Sequence, residues 1–117
     1  MLKHTKNAFF YSMSGLNAAI KEEVAFRLVL AQAALIFLFI IFSPFSLSYI
    51  EISFLITSAA ICIIIELLNS AIENIVDLIT SDWHLLAKKA KDMGSAAQFI
   101  ALVLLYTQIA FIIKNHI

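Results

Sequence analysis

Four polar side chains follow one another at helical spacing inside an otherwise apolar stretch: Glu66, Asn69, Glu73 and Asp77. At about 100° per residue they share an arc of roughly 80° on one helix face, and leucine, isoleucine and valine fill the remainder. Ionisable groups at a membrane boundary are costly to place, so they usually face a bundle interior or a hydrated site. The spacing therefore predicts one shared polar site on this helix.

The chemistry of this stripe follows from its carboxylates. Oxygen ligands without a basic neighbour suit a hard divalent cation, above all Mg²⁺, which accompanies phosphates. Glu66 is the deepest and is the candidate general base, whereas Glu73 lies nearer to water and is the better metal ligand. Spacing alone leaves two alternatives open: hydrogen bonds that hold an oligomer together, and a pathway for protons or ions.

A second group of polar residues follows the stripe, from Asp82 to Asp92. Lys91 could meet phosphate oxygens at the mouth of the site, and Asp92 could bind a second metal ion or orient Lys91. Glu23 lies at the edge of the apolar face of an N-terminal helix, from where it could reach the metal. An edge charge of this kind is often only solvated.

Composition limits the class of protein. The chain has 117 residues, of which 62% are hydrophobic and 14% charged. A soluble domain of this size could not bury so much apolar surface. The net charge of zero offers no argument for a nucleic-acid partner, and none is expected. The N terminus lacks the pattern of a removable signal peptide, and the two glycines cannot form a glycine-rich phosphate loop.

The apolar segments predict an all-α membrane protein with one domain, 1–117. Three uncharged apolar stretches, at 28–42, 52–65 and 93–113, predict transmembrane helices at about 28–48, 51–82 and 92–114. Pro44 predicts the end of the first, and the second should emerge from the membrane because no Gly or Pro interrupts it. Apolar residues at helical spacing, beginning at Phe9, predict an amphipathic surface helix at about 5–26.

The basic residues predict the orientation of the chain. Seven of the eight lysines and arginines flank the segments on one side, and only Lys114 lies on the other. Such an excess is typical of the cytoplasmic side. We therefore expect the N terminus inside and the C terminus outside.

The stretch ELLNSAIENIVD at 66–77 resembles the signature of the prokaryotic diacylglycerol kinase family. The resemblance extends to YSMSGLNAAI at 11–20, EVAFR at 23–27 and KDMGSAA at 91–97. It implies a homotrimer of three-span chains in the bacterial inner membrane, with sites shared between subunits. It also implies transfer of phosphate from MgATP to the hydroxyl of diacylglycerol, giving phosphatidic acid.

The resemblance assigns roles position by position. Glu66 resembles the catalytic base beside the lipid hydroxyl, Ser95 resembles a further substrate contact, and Asn69 and Asp77 resemble supporting residues. The residues that match metal ligands are Glu23 and Glu73. The residues that match nucleotide contacts are Tyr11, Glu23, Glu73, Asp82, Trp83, His84, Lys91 and Asp92.

Two other functions remain as alternatives at this stage. The nearer one is the same chemistry on undecaprenol, which related members of the family phosphorylate. The more distant one is a small ion-conducting or structural membrane subunit, in which the acidic stripe would serve ions or helix packing.

Overall fold

The structure is a computed structural model that describes residues 1–117. It contains no strand and four α-helices: α1 (Leu2–Glu22), α2 (Val24–Phe42), α3 (Tyr49–Ile79) and α4 (Leu85–His116). The last three are each long and apolar enough to cross a membrane. The prediction of an all-α fold with three potential spans after an N-terminal helix is confirmed.

The break between α1 and α2 falls at Glu23, earlier than the expected end of the surface helix near residue 26. Glu23 is extended, with φ −110° and ψ 108°. The guanidinium of Arg27 folds back and donates to the carbonyl oxygens of Ile20 and Lys21, at 2.9 and 3.0 Å. It satisfies acceptors that the last turn of α1 would otherwise leave free, which stabilises the break at this point.

The first span is displaced toward the N terminus relative to the predicted range of 28–48. Helix α2 starts at Val24, directly after the break, and ends at Phe42. Ser43 is extended, with φ −58° and ψ 135°, because the proline that follows it disfavours helical geometry. Pro44 therefore ends the helix as predicted, and the serine-containing tail up to residue 48 is not helical.

Helix α3 carries the polar stripe. It begins with a reciprocal cap: the Ser48 hydroxyl accepts from the Glu51 N–H, and the Glu51 carboxylate accepts from the Ser48 N–H. Its 31 residues extend roughly 46 Å at about 1.5 Å per residue, against a hydrocarbon core of about 30 Å. The helix ends at Ile79, slightly before the expected residue 82, because Thr80 is extended.

Helix α4 begins seven residues before the expected start at 92. The ring of His84 accepts a hydrogen bond from the Leu86 N–H at 3.1 Å and caps the helix. Lys88, Lys91 and Asp92 consequently lie on the first turns of α4 and not in a loop. Their side chains are therefore held at fixed helical positions beside the end of α3.

The helices form a thin bundle in which α3 and α4 run antiparallel and share the largest contact, while α2 packs on α3 and α1 touches mainly α2. Small and branched side chains form the core: Val29, Ile36, Leu55, Cys62, Ala101, Leu105 and Ile112. Only 16 of the 117 residues are buried. The apolar side chains left outside need a lipid or protein environment.

Candidate active site

The polar stripe of α3 runs from a buried end to an exposed one. Glu66 and Asn69 are 5% and 7% exposed, Glu73 is half-buried, and Asp77 is exposed. Glu66 is thus the most buried of the three acids of the stripe. A buried carboxylate therefore lies next to water-accessible ones along a single helix face.

Helix α4 approaches the stripe closely at Gly94. This glycine is buried, and a Cβ atom added to it would collide with Asn69 Oδ1. Asn69 Oδ1 is itself buried and has no hydrogen-bond partner. Gly94 thus allows the two helices to approach each other beside Glu66, and the asparagine oxygen remains available for a hydrogen bond.

Glu23 joins this region from the break between α1 and α2. Its carboxylate accepts a hydrogen bond from the Asn74 amide at 3.5 Å, which brings it to α3. A cavity of about 510 Å³ between α1 and α3 is lined in part by Glu23 and Asn74. The structure therefore brings the Glu23 carboxylate, from the break between α1 and α2, beside helix α3.

Two ion pairs lie near the exposed end of the stripe, one between helices and one within α4. Lys91 on α4 donates a hydrogen bond to the Asp77 carboxylate on α3 at 2.6 Å. The negative charge of Glu73 also acts on Lys91. Asp92 accepts from Lys88 at 2.6 Å, within α4. Asp92 is therefore paired with Lys88 and does not orient Lys91. Exposed pairs of this kind contribute little to stability.

The turn between α3 and α4 forms a second polar cavity, of about 400 Å³. Six of the residues predicted to act at the site line it: Asp77, Asp82, Trp83, His84, Lys91 and Asp92. The indole of Trp83 is 77% exposed. The Thr80 hydroxyl accepts from the Asp82 N–H at 3.2 Å and shapes the turn. The cavity offers an exposed aromatic face beside a lysine.

Two predicted residues are not brought to these cavities. Tyr11 is 73% exposed on α1, and Ser95 is exposed on α4. Neither lines the cavity beside Glu23 or the cavity at the α3–α4 turn.

The acidic side chains do not by themselves form a complete metal site. No group of three or more acidic, histidine or cysteine side chains converges as a ready-made metal site. Mg²⁺ does not need one, because it keeps several waters and takes further ligands from phosphate oxygens. Two carboxylates such as Glu23 and Glu73 therefore fit a phosphate-bound Mg²⁺ better than a metal held by protein alone.

Sequence reasoning missed two polar residues of this region, Asn74 and Gln98. Asn74 belongs to the signature stretch, but its contact with Glu23 depends on the break between α1 and α2. Gln98 lies one turn after Gly94 and is 8% exposed, with both polar atoms of its amide unpartnered. The signal that could have found it is a glutamine inside an apolar run of a membrane span.

The fold and the site together define a class: an α-helical membrane protein with several spans and a carboxylate site at one end of its bundle. The family model described as "Prokaryotic diacylglycerol kinase" matches residues 10–113 of this chain. The chain is 45% identical over 105 residues to the diacylglycerol kinase of Pseudomonas aeruginosa, covering 89% of this chain and 83% of that one. It is 42% identical over 101 residues to the diacylglycerol kinase of Helicobacter pylori, covering 86% and 77%.

A third relative, the diacylglycerol kinase of Escherichia coli (strain K12), is 39% identical over 106 residues, which cover 91% of this chain and 85% of that one. This chain belongs to the prokaryotic diacylglycerol kinase family. It is a multi-pass membrane protein and a kinase, as the sequence predicts.

Proposed function

We propose that this chain transfers the γ-phosphate of MgATP to the free hydroxyl of diacylglycerol, giving phosphatidic acid. The observation that carries the proposal is Glu66, a carboxylate 5% exposed among apolar helices and free of any ion pair. In this proposal a lipid hydroxyl reaches Glu66 from the bilayer, and Glu73 and Glu23 act on its aqueous side. The names of the relatives support diacylglycerol as the lipid.

In this proposal the phosphate is transferred directly from ATP to the lipid, in a single displacement. Glu66 accepts the proton of the lipid hydroxyl, and the hydroxyl oxygen forms a bond to the γ-phosphorus. The bond from the γ-phosphorus to the β–γ bridging oxygen breaks, and ADP leaves with the electron pair. Phosphoryl transfer depends mainly on alignment and charge neutralisation, and a rigid helix face is well suited to both.

Glu23 and Glu73 are the residues that would hold Mg²⁺. When bound, the ion neutralises phosphate charge and helps to align the nucleotide. The nucleotide contacts in this proposal are Tyr11, Glu23, Glu73, Asp82, Trp83, His84, Lys91 and Asp92. Lys91 exchanges the Asp77 carboxylate for a phosphate oxygen, and the exposed Trp83 offers an apolar face to the base. Asn69 and Asp77 hold the supporting positions.

The assembly proposed is a homotrimer with sites shared between subunits. Tyr11 and Ser95 support it, because both are exposed away from the two cavities. A neighbouring chain could bring its Tyr11 to the nucleotide, while Ser95 contacts the lipid. The small number of buried residues in one chain is a further reason to expect apolar faces to be covered by other copies.

The location proposed is the bacterial inner membrane, with the N terminus cytoplasmic and the C terminus outside. The excess of lysine and arginine around α1 and the α3–α4 turn supports this orientation. ATP is a cytoplasmic substrate, so the same orientation presents the carboxylates to it. Protease accessibility of tags at the two termini in sealed vesicles tests the topology.

The activity is tested by transfer of radiolabelled γ-phosphate from ATP to lipid by the purified full-length protein with Mg²⁺. We expect labelled phosphatidic acid from diacylglycerol. Label on undecaprenol alone would replace the proposed substrate by the alternative lipid. No transfer to either lipid, together with ion flux in sealed vesicles, would reject a kinase in favour of a channel subunit.

A further inference from the structure

Gln98 is the most isolated polar side chain of the bundle interior. It lies on α4, is 8% exposed, and both its Nε2 and its Oε1 are buried without a hydrogen-bond partner. Asn69 Oδ1 is the only other buried side-chain atom in this condition. An amide in an apolar setting is costly unless it is hydrogen-bonded, so Gln98 needs a partner in the working protein.

The register of α3 against α4 shows which groups face Gln98. Gly94 lies against Asn69, and further along the bundle Gln108 accepts from the Ser58 hydroxyl at 2.5 Å. The two helices are antiparallel, so one turn beyond Gly94 on α4 corresponds to one turn before Asn69 on α3. The buried residues of α3 at that level are Cys62 and Glu66.

Of these two neighbours, only Glu66 is a strong acceptor, because a thiol forms weak hydrogen bonds. A partner on a second copy of the chain is disfavoured by burial: the amide atoms of Gln98 are already enclosed within a single chain. The partner must therefore come from the same chain or from a small molecule that reaches the same place.

We propose that Gln98 is a positioning residue for the reaction, and that its Nε2–H donates to a carboxylate oxygen of Glu66. The amide would fix the carboxylate so that its second oxygen faces the lipid hydroxyl. This inference rests on the proposed function, since it assigns Gln98 to the group proposed as the base.

The first test is Gln98→Met, which keeps the length of the side chain and removes the amide. The kcat for phosphate transfer should fall about tenfold or more, in line with the loss of a hydrogen bond to a charged group, while the KM for ATP stays unchanged. Gln108→Met is the matched control on the same helix. It breaks the bond to Ser58 and should lower the Tm, leaving kcat unaltered.

A double-mutant cycle separates positioning from general packing. In the Glu66→Gln background, Gln98→Met should cause no further loss of kcat, because the carboxylate that it orients is gone. Equal losses in both backgrounds, or no loss in the wild-type background, would overturn the inference. Gln98→Asn retains a shortened amide and should give an intermediate kcat, so the question remains answerable if the methionine variant folds poorly.

A measurement without turnover tests the contact directly. Solid-state NMR of the full-length protein in lipid, labelled on nitrogen and carbon, should show a correlation between Gln98 Nε2 and Glu66 Cδ. Its absence would overturn the inference. Failure of the proposed function is recognised separately, because the wild-type protein would then transfer no phosphate to lipid at all.

Discussion

The two ends of α3 both carry acidic side chains, but the hydrogen-bond and ion-pair partners of those side chains differ. At the end where α3 begins, which we call the far end, the Glu51 carboxylate accepts from the Ser48 N–H at 2.8 Å and contacts His116 Nε2 at 3.0 Å. Asn115 donates to the same carboxylate at 3.5 Å. The ring of Phe45 stacks on His116, with centroids 5.3 Å apart.

The opposite end, which we call the acidic end, contains Glu66, Asn69 and Glu73. Glu66 and Glu73 enter no ion pair, and Asn69 Oδ1 is buried without a partner. The far end thus satisfies its carboxylate within the chain and joins the start of α3 to the end of α4. The acidic end leaves its polar groups free for a ligand. The contrast separates an acid that stabilises the fold from acids that are available for chemistry.

The largest effect expected from this contrast is on Glu66. Glu66→Gln should reduce kcat by about 10²–10⁴-fold, the range for a lost general base. Its Tm should stay the same or rise, since a buried charge is removed without breaking a pair. Initial rates of phosphatidic acid formation and thermal unfolding measure the two effects.

Glu51→Gln is the control for that substitution. It weakens the contacts of the far end and should lower the Tm with kcat unaltered. If instead the Glu51 variant lost activity and the Glu66 variant kept it, the roles of the two ends would have to be exchanged.

The next effect concerns the metal. Glu73→Gln should raise the Mg²⁺ concentration needed for half-maximal rate by at least roughly tenfold, since even indirect supporting groups of a metal commonly affect affinity by that much. A Mg²⁺ titration of the rate at saturating lipid measures it. Glu51→Gln serves as the control, because Glu51 lies at the far end of α3 and lines neither polar cavity. An identical titration for the Glu73 variant and the wild type would remove Glu73 from the metal site.

A smaller effect is expected from the helix approach at the acidic end. Gly94→Ala should destabilise the protein by about 1–3 kcal/mol, the usual cost of overpacking, because its Cβ meets Asn69 Oδ1. Gly15→Ala is the matched substitution: nothing lies within 4 Å of its added Cβ. It should stabilise α1 by about 0.5–1 kcal/mol. The free energy of unfolding of each variant is measured by denaturation in detergent. Equal values for the two variants would show that α3 and α4 do not approach each other as described.

The smallest effect belongs to the histidine of the far end. His116→Ala removes the contact with Glu51 and the stacking on Phe45. A slightly lower Tm is expected, with kcat and the KM for ATP both unaltered. Steady-state kinetics and thermal unfolding, measured on the same preparation, test this expectation. A change in either kinetic constant would connect the two ends and weaken the division between them.

The sequence was most informative for features that lie within a single helix. The order of burial from Glu66 to Asp77 follows from helical spacing and depth in the membrane, and both can be read from the chain. The end of α2 before Pro44 is also a local property, because the ring of proline removes a hydrogen-bond donor.

The features that sequence reasoning missed depend on contacts between elements. The break at Glu23 is held by Arg27, whose carbonyl partners are known only once the chain has folded back. The early start of α4 depends on the cap at His84. Gln98 has no periodic signal of its own, and its burial depends on how closely α4 packs against α3. Helix faces could be predicted, whereas the partners across them could not.

The most direct test of the account is to find which end of α3 holds the nucleotide-bound metal. Paramagnetic Mn²⁺ added with ATP to the full-length protein in lipid should broaden the NMR signals of Glu73, Asn74 and Lys91 and leave those of Glu51 and Asn115 sharp. Broadening centred on the far end, or none at either end while ATP is bound, would contradict the assignment of the acidic end as the active site.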